Sequence, residues 1–334
     1  MIFGVPEQAR WIRSEPRRVL DPDVLERMVR TAFPGARVAE AQPLAQGLRN
    51  TNIRVRLDRP PGWIVLRIYE HDASLCQKEV DLIRLAGRFV PVAEVIHAEP
   101  RGWEGLPPFA LVRYVEAITF LELKRHGDLH AIAEAAGSVG ETLAALGRIA
   151  FEKPGWIAPG PSVTAPLLEG PDPMPRFVDL CLASANFQRR VAADLCERIQ
   201  ALVWAWAPRL ARLDEDPRLV HCDFSRRNLL VRPDGGRWSV AAVLDWEFAV
   251  SGPPLIDVAN FLRYERLAQP LAEPHFTNGY RRAGGSLPEN WREFARMVDL
   301  TALCDSLTRD QLPDDVEREL VELVRATVEA RDPE

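Results

Sequence analysis

The chain has 334 residues, 47% of them apolar and 27% charged, a balance that builds a large core and ordinarily two lobes or domains. Its net charge of -6 argues against a nucleic-acid partner, which a basic face would serve, and no apolar run reaches the length of a membrane span. The opening Met1-Ile2-Phe3-Gly4-Val5-Pro6 lacks a basic region followed by an apolar stretch, and the cysteines at 76, 181, 196, 222 and 304 are scattered and odd in number. Both features point to reduced thiols in a cytoplasmic setting with no membrane partner.

In chain order, Pro22 to Phe33 reads as a helix with Asp21 as its N-cap. Alternating β-branched and apolar residues then predict strands at Val38–Leu44, Ile53–Leu57 and Trp63–Tyr69, with the turn Arg59-Pro60-Pro61-Gly62 before the third. Ser74 to Arg88 has helical spacing, placing Leu75, Cys76, Leu82, Ile83 and Ala86 on one face. Two more strands follow at Glu94–Ala98 and Phe109–Tyr114. Beyond residue 117 the pattern turns helical: Ile132–Ile149, Phe187–Leu213, Leu255–Tyr264, Asn290–Leu307 and Val316–Ala330 are candidates, with an irregular Pro-rich connection from Pro154 to Pro175. This is an α+β arrangement, with a five-stranded lobe carrying one helix over residues 1–116 (1–36 being a helical extension) and a mainly helical lobe over 117–334. A cleft between lobes is a common place for a ligand.

The helical half is interrupted by strand signals at 219–248, and here the chemistry concentrates. Asp223 precedes Asn228 by five residues, and Asn228 precedes Asp245 by seventeen. Apolar runs adjoin them: Leu229-Leu230-Val231 after the first cluster and Ala241-Ala242-Val243-Leu244 before the second, with Pro233-Asp234-Gly235-Gly236 as the turn of a hairpin. Phosphoryl transfer needs a carboxylate at the acceptor hydroxyl, and an Asn and a second Asp to hold divalent metal on nucleotide phosphates. Asp223 is therefore the expected base, and Asn228 and Asp245 the expected Mg²⁺ ligands, since that ion takes one or two hard oxygens from protein.

Other residues join this frame. Gln46 to Asn52 forms the first hairpin turn, so the backbone near Gln46, Gly47, Asn50 and Thr51 could close over phosphates. Arg67 alternates with apolar neighbours, and Glu79 falls inside the apolar face of the following helix. An inward carboxylate needs a cation, so the two are expected to pair and set Arg67 on the α- and β-phosphates. The main chain of Arg113 and Val115, in the segment joining the lobes, is the expected reader of a base edge. His221 reads as a buried imidazole bonded to backbone near Asp245. Asp257 reads as a helix-start carboxylate capping amides. Glu247 either approaches a second metal or pairs with a cation. Trp204 and Trp206 read as helix packing; Glu265, Asp299 and Asp305 are acidic candidates for an acceptor pocket in the helical lobe, against which stands the preferred reading of each as a solvated helix face.

These residues resemble the aminoglycoside phosphotransferase and choline kinase-like family, which shares the protein-kinase-like two-lobed fold. His221-Cys222-Asp223 to Asn228 is similar to its catalytic segment, Leu244-Asp245-Trp246-Glu247 to its metal-binding run, and Asp257-Val258-Ala259 to its later Asp motif, with Asn260 adding a likeness to the choline kinase branch. Gln46-Gly47 to Asn50-Thr51-Asn52 resembles its nucleotide loop; Leu66-Arg67 and Lys78-Glu79-Val80 fall where it has a phosphate-contacting cation and its acidic partner. Cys222 stands where the family usually has Gly, Arg67 where Lys is commoner, and Arg226-Arg227 where Pro-Gly is frequent. The resemblance implies a small-molecule kinase using ATP or GTP with Mg²⁺ on a small hydroxyl acceptor such as an aminoglycoside-like or amino-alcohol compound. The alternatives are a protein kinase, for which eleven residues between Asp245 and Asp257 leave little activation segment, and a nucleotide-binding pseudokinase scaffold, against which every catalytic group is present.

Overall fold

The computed structural model describes residues 18–44, 50–70, 72–265 and 269–330. The first helix, α1 (Pro22–Arg30), starts where Asp21 accepts a hydrogen bond from the Asp23 amide at 2.9 Å. It is shorter than the periodicity suggests. Strands β1 (Val38–Pro43), β2 (Thr51–Leu57) and β3 (Trp63–Ile68) follow, then helix α2 (Leu75–Ala86) and strands β4 (Val95–Glu99) and β5 (Phe109–Arg113). The five strands form one antiparallel sheet in the order β1-β2-β3-β5-β4.

The two faces of this sheet do different work. Ile53, Val55, Leu57, Ile64, Leu66 and Ile68 alternate onto one face and bury against Leu25, Met28 and Val29 of α1. The other face carries Arg67 and Tyr69, and α2 packs there through Cys76 and Val80. Strand alternation forces this division, since successive side chains point to opposite sides. A one-residue slip of β3 would drive Arg67 into the α1 core.

Residues 114–117 lead to a short strand, β6 (Ile118–Thr119), and helix α3 (Phe120–His126). Thr119 and Glu122 close a full capping box at its start, a signal missed in the sequence because the helix is so short. Helix α4 (Leu129–Leu146) follows, then strands β7 (Gly155–Ala158) and β8 (Ser162–Ala165), which occupy part of the expected irregular connection. The predicted helix at 187–213 is split by extended backbone at Val191 and Ala192 into α6 (Ala185–Arg190) and α7 (Ala193–Leu210), preceded by α5 (Pro173–Leu182). Strands β9 (Arg218–Val220), β10 (Leu229–Asp234), β11 (Arg237–Val243) and β12 (Val250–Gly252) supply the strand interlude. Helices α8 (Leu255–Leu262), α9 (Glu273–Arg282), α10 (Trp291–Leu307) and α11 (Asp314–Glu329) follow.

Helix α9 escaped the sequence reading because its start carries little apolar periodicity. It packs on α4 backbone to backbone: a Cβ on Gly140 would lie 2.1 Å from the Phe276 carbonyl oxygen, and one on Gly279 2.0 Å from that of Gly137. Strand β10 pairs with both β11 and β6, which ties the interlobe segment to the hairpin. No helix among the described residues is long and apolar enough to cross a membrane.

Candidate active site

The hairpin β10–β11 brings its two open ends together. The loop from His221 to Asn228 enters β10, and the turn from Leu244 to Glu247 leaves β11. The two are joined where the Leu244 amide donates to the Asn228 carbonyl at 2.9 Å. Asn228 in turn donates from Nδ2 to the Asp223 carboxylate at 2.8 Å and to its carbonyl at 2.9 Å. The sequence separation of these groups is thus closed by one strand pairing.

Asp223 is held by more than Asn228. Its amide donates to His221 Nδ1 at 3.2 Å, while His221 Nε2 lies 2.9 Å from the Leu244 carbonyl oxygen. These two partners fix the tautomer with the proton on Nε2. Burial pushes the imidazole down to about 4, so it is neutral and serves as a strut between the two loop ends. It is packed against Trp246, with ring centroids 4.7 Å apart. The same burial, reinforced by the nearby Asp245 charge, lifts the Asp223 carboxyl to about 6. That is a suitable range for a proton acceptor working near neutrality.

Asp257 has a different job from the one its position suggests. Its side chain caps no amide of its own helix. It accepts from the His221 amide at 2.7 Å and the Cys222 amide at 2.9 Å, holding the loop before Asp223. It is fully buried, and burial raises it to about 7. The loop needs such an anchor because Cys222 sits at φ 63°, a left-handed conformation that costs an L-residue roughly 1–2 kcal/mol. Asn260, with its amide oriented to satisfy its neighbours, donates to the Cys222 carbonyl at 2.8 Å and accepts from Arg263 at 3.2 Å. Flanking apolar residues in the sequence announce that Asp257 is buried, but not which amides it serves.

The second end is held from the five-stranded lobe. Arg67 donates from Nε to Glu79 at 2.9 Å and from Nη2 to Asp245 at 2.6 Å. Glu79 uses its other oxygen to accept from the Trp246 amide at 3.2 Å. Burial pushes the Glu79 carboxyl up and Arg67 pulls it back. Burial opposes the charge on Arg67, but Glu79 and Asp245 outweigh it and hold the guanidinium charged. Glu247 accepts from Asn50 at 3.0 Å and lies 3.8 Å from Arg67, so it does pair with a cation, while its carbonyl oxygen takes Lys78 Nζ at 3.0 Å. Lys78 and Asn50 were not singled out for this contact; nothing local in the sequence marks it.

Several expectations need correction. Glu265 is buried and accepts from Arg226, from the Ala272 amide at 2.7 Å and from the Glu273 amide at 2.9 Å; it braces the start of α9 instead of meeting solvent. Asp299 is buried in a fork with Arg263, at 2.6 Å to Nη2 and 2.9 Å to Nε. Only Asp305 is exposed as expected. Arg113 spends its amide on the Glu94 carbonyl at 2.8 Å, which removes that donor from any base edge, whereas Val115 makes no main-chain hydrogen bond among the described residues. Gln46 and Gly47 lie outside the described residues; Asn50 and Thr51 sit at the start of β2, with Thr51 donating to Glu70 at 2.9 Å. Trp206 packs edge-on against Phe294, but Trp204 is partly exposed and donates to Asp179 at 2.9 Å.

The donor set at this site suits a hard cation. Asn228 spends its amide nitrogen on Asp223, which leaves its side-chain carbonyl oxygen available to a cation. No group of three His, Cys, Asp or Glu side chains that could hold a metal ion occurs among the described residues, so a cation here would draw its remaining ligands from phosphate and water.

Comparison with known proteins follows this geometry. The model of the phosphotransferase enzyme family matches residues 40–295. No curated protein matches. Among solved structures, a thermostable mutant of aminoglycoside phosphotransferase APH(4)-Ia, in a ternary complex with ADP and hygromycin B, is 20% identical over 92% of this chain and 99% of its own, with a TM-score of 0.65. Wild-type aminoglycoside 2'-phosphotransferase-IIIa, as its GDP complex, is 17% identical over 92% and 99%, with a TM-score of 0.66. The streptomycin–ATP complex of APH(2")-IIa is 15% identical over 93% and 98%, with a TM-score of 0.59. Those likenesses show a protein-kinase-like fold, and with the family match over 40–295 the chain belongs to the phosphotransferase enzyme family.

Proposed function

We propose that the protein is a small-molecule kinase that moves the γ-phosphoryl group of ATP or GTP to a hydroxyl of a small acceptor. The observation that carries this reading is the convergence of Asp223, Asn228, Asp245 and Arg67 through bonds of 2.8 Å between Asn228 and Asp223 and 2.6 Å between Arg67 and Asp245. In this reading Asp223 accepts the hydroxyl proton as the new O–P bond forms and the bond to the nucleoside diphosphate breaks. Asn228 and Asp245 hold Mg²⁺, which when bound supplies positive charge against the phosphates. Arg67, set by Glu79, reaches the α- and β-phosphates. The ADP, GDP, ATP and aminoglycosides bound in the similar structures support a nucleotide and a small hydroxyl compound as the two substrates.

A small acceptor fits better than a polypeptide. Trp246, Ala249, Val250 and Ser251 are buried within the stretch between Asp245 and Asp257, so that stretch offers no exposed docking segment. The test is a nucleoside-diphosphate release screen with MgATP and MgGTP over aminoglycosides, macrolides, choline-like amines, amino alcohols and sugars, with Asp223→Ala as blank. The reading expects at least one acceptor whose turnover falls about a thousandfold in that variant. Nucleotide binding without turnover on any acceptor would favour a scaffold instead.

A further inference from the structure

The face of the five-stranded sheet that carries Arg67 also carries a second arginine with an unusual environment. The register pairs Asn52 with Arg67, Arg54 with Val65 and Arg56 with Trp63. Arg54 therefore shares a face with Arg67, one alternation closer to the segment joining the lobes. Its guanidinium carbon lies 3.8 Å from the ring centroid of Trp63 and 4.2 Å from that of Tyr114. The two rings stand 6.3 Å apart at an interplanar angle of 51°, forming a wedge with the guanidinium inside it. Tyr114 is the first residue after β5, and its amide reaches the Trp63 carbonyl at 3.4 Å, so the wedge is built where the lobes join.

Among the described residues, Arg54 lacks the carboxylate partners that Arg67 and Arg56 have on this face. Arg67 holds Glu79 and Asp245, and Arg56 holds Glu40. Arg54 makes no hydrogen bond or ion pair among the described residues, and its buried Nε has no acceptor. Two aromatic rings flank the guanidinium, and neither supplies a counter-charge. Such an arrangement keeps a planar, weakly hydrated cation in one orientation, ready to stack on a third π-surface.

We infer that Arg54, propped by Trp63 and Tyr114, is the platform on which the base of the bound nucleotide stacks. The inference rests on the kinase reading, which puts the phosphates at Arg67 and Asp245 and so leads the base along this face toward Tyr114. Stacking reads the π-face that every base has, so the platform serves adenine and guanine alike. Arg54 is thus a base-binding residue, distinct in role from Arg67, which serves the phosphates.

The two roles separate in a calorimetric titration of the full chain with MgADP, MgGDP and magnesium tripolyphosphate, which has the phosphates and no base. Arg54→Ala is expected to weaken MgADP and MgGDP about tenfold each, as loss of one stacking contact would. It should leave tripolyphosphate within about twofold. Arg54→Lys should recover little, because an ammonium has no planar face. Tyr114→Leu, which removes a prop and keeps Arg54, should weaken the two nucleotides in the same direction. Arg67→Ala should weaken all three ligands. Unchanged nucleotide affinity in a folded Arg54→Ala protein would overturn the inference, as would an equal loss for tripolyphosphate. Failure of all three ligands to bind the wild-type chain would overturn the kinase reading together with it, and is told apart by that control.

Discussion

The two loop ends that meet at the hairpin β10–β11 are secured from opposite directions. The His221–Asn228 loop is fastened within the helical half of the chain, by Asp257, Asn260 and the His221 strut. The Leu244–Glu247 turn is fastened across the cleft, by Arg67, Glu79, Lys78 and Asn50. The difference assigns each end a physical character. The Asp223 loop takes its own anchors from the helical half. The Asp245 and Glu247 side chains also take support from the five-stranded lobe through Arg67 and Asn50, so on the proposed reading the nucleotide side is the one tied to how that lobe packs.

The strongest way to break this contrast is at the cross-cleft latch. Arg67→Ala would leave Glu79 buried without its cation at 2.9 Å, at a cost of roughly 3–5 kcal/mol. The urea midpoint should fall accordingly, and Arg67→Lys should restore only part of it, since one ammonium cannot serve both carboxylates as the planar fork does. Next comes the internal anchor. Asp257→Ala orphans the His221 and Cys222 amides, costing roughly 2–4 kcal/mol and slowing turnover, while leaving MgADP affinity near its wild-type value. Asp257→Asn, which keeps one acceptor oxygen, should lie between.

Titration sharpens the same contrast. On the proposed reading Asp223, raised to about 6 by burial and by Asp245, works as a carboxylate, so kcat/KM should fall tenfold per pH unit below about 6 and level off above it. A profile flat down to pH 4.5 would remove Asp223 as the base. Asp257, raised from 3.8 to about 7, binds its proton more tightly in the folded chain than in the unfolded one. Its contribution to stability is therefore greatest below the unfolded value and is lost as pH rises through that window. The stability difference between wild type and Asp257→Asn should change sign or slope between those limits, measured as unfolding free energy against pH. The smallest effect is expected at Cys222. Its φ of 63° favours glycine, so Cys222→Gly should stabilise the loop by about 0.5–1 kcal/mol, seen as a small rise in Tm.

How much of this was legible in the sequence follows from what each contact needs. The Asp223, Asn228 and Asp245 frame was visible because strand pairing is local: the hairpin turn at Asp234 to Gly236 fixes which ends meet. The Arg67–Glu79 pair was visible because an inward carboxylate on the α2 face demands a cation nearby. The reach of Asp257 across 36 positions to His221 was not visible, since burial says only that donors exist. Glu265 and Asp299 looked solvated for a related reason: the arginines that pair with them, Arg226 and Arg263, come from distant parts of the chain. The packing of α9 on α4 was hidden because glycines contribute no hydropathy signal to the helix they make possible.

The most direct measurement of the central division of labour is MgADP and MgGDP affinity, as a function of Mg²⁺ concentration, in Asp223→Ala beside Asp245→Ala. The account predicts that Asp223→Ala binds the nucleotides with wild-type Mg²⁺ dependence, whereas Asp245→Ala binds them weakly with that dependence largely lost. Wild-type Mg²⁺ dependence in a folded Asp245→Ala protein, or its loss in Asp223→Ala, would contradict it.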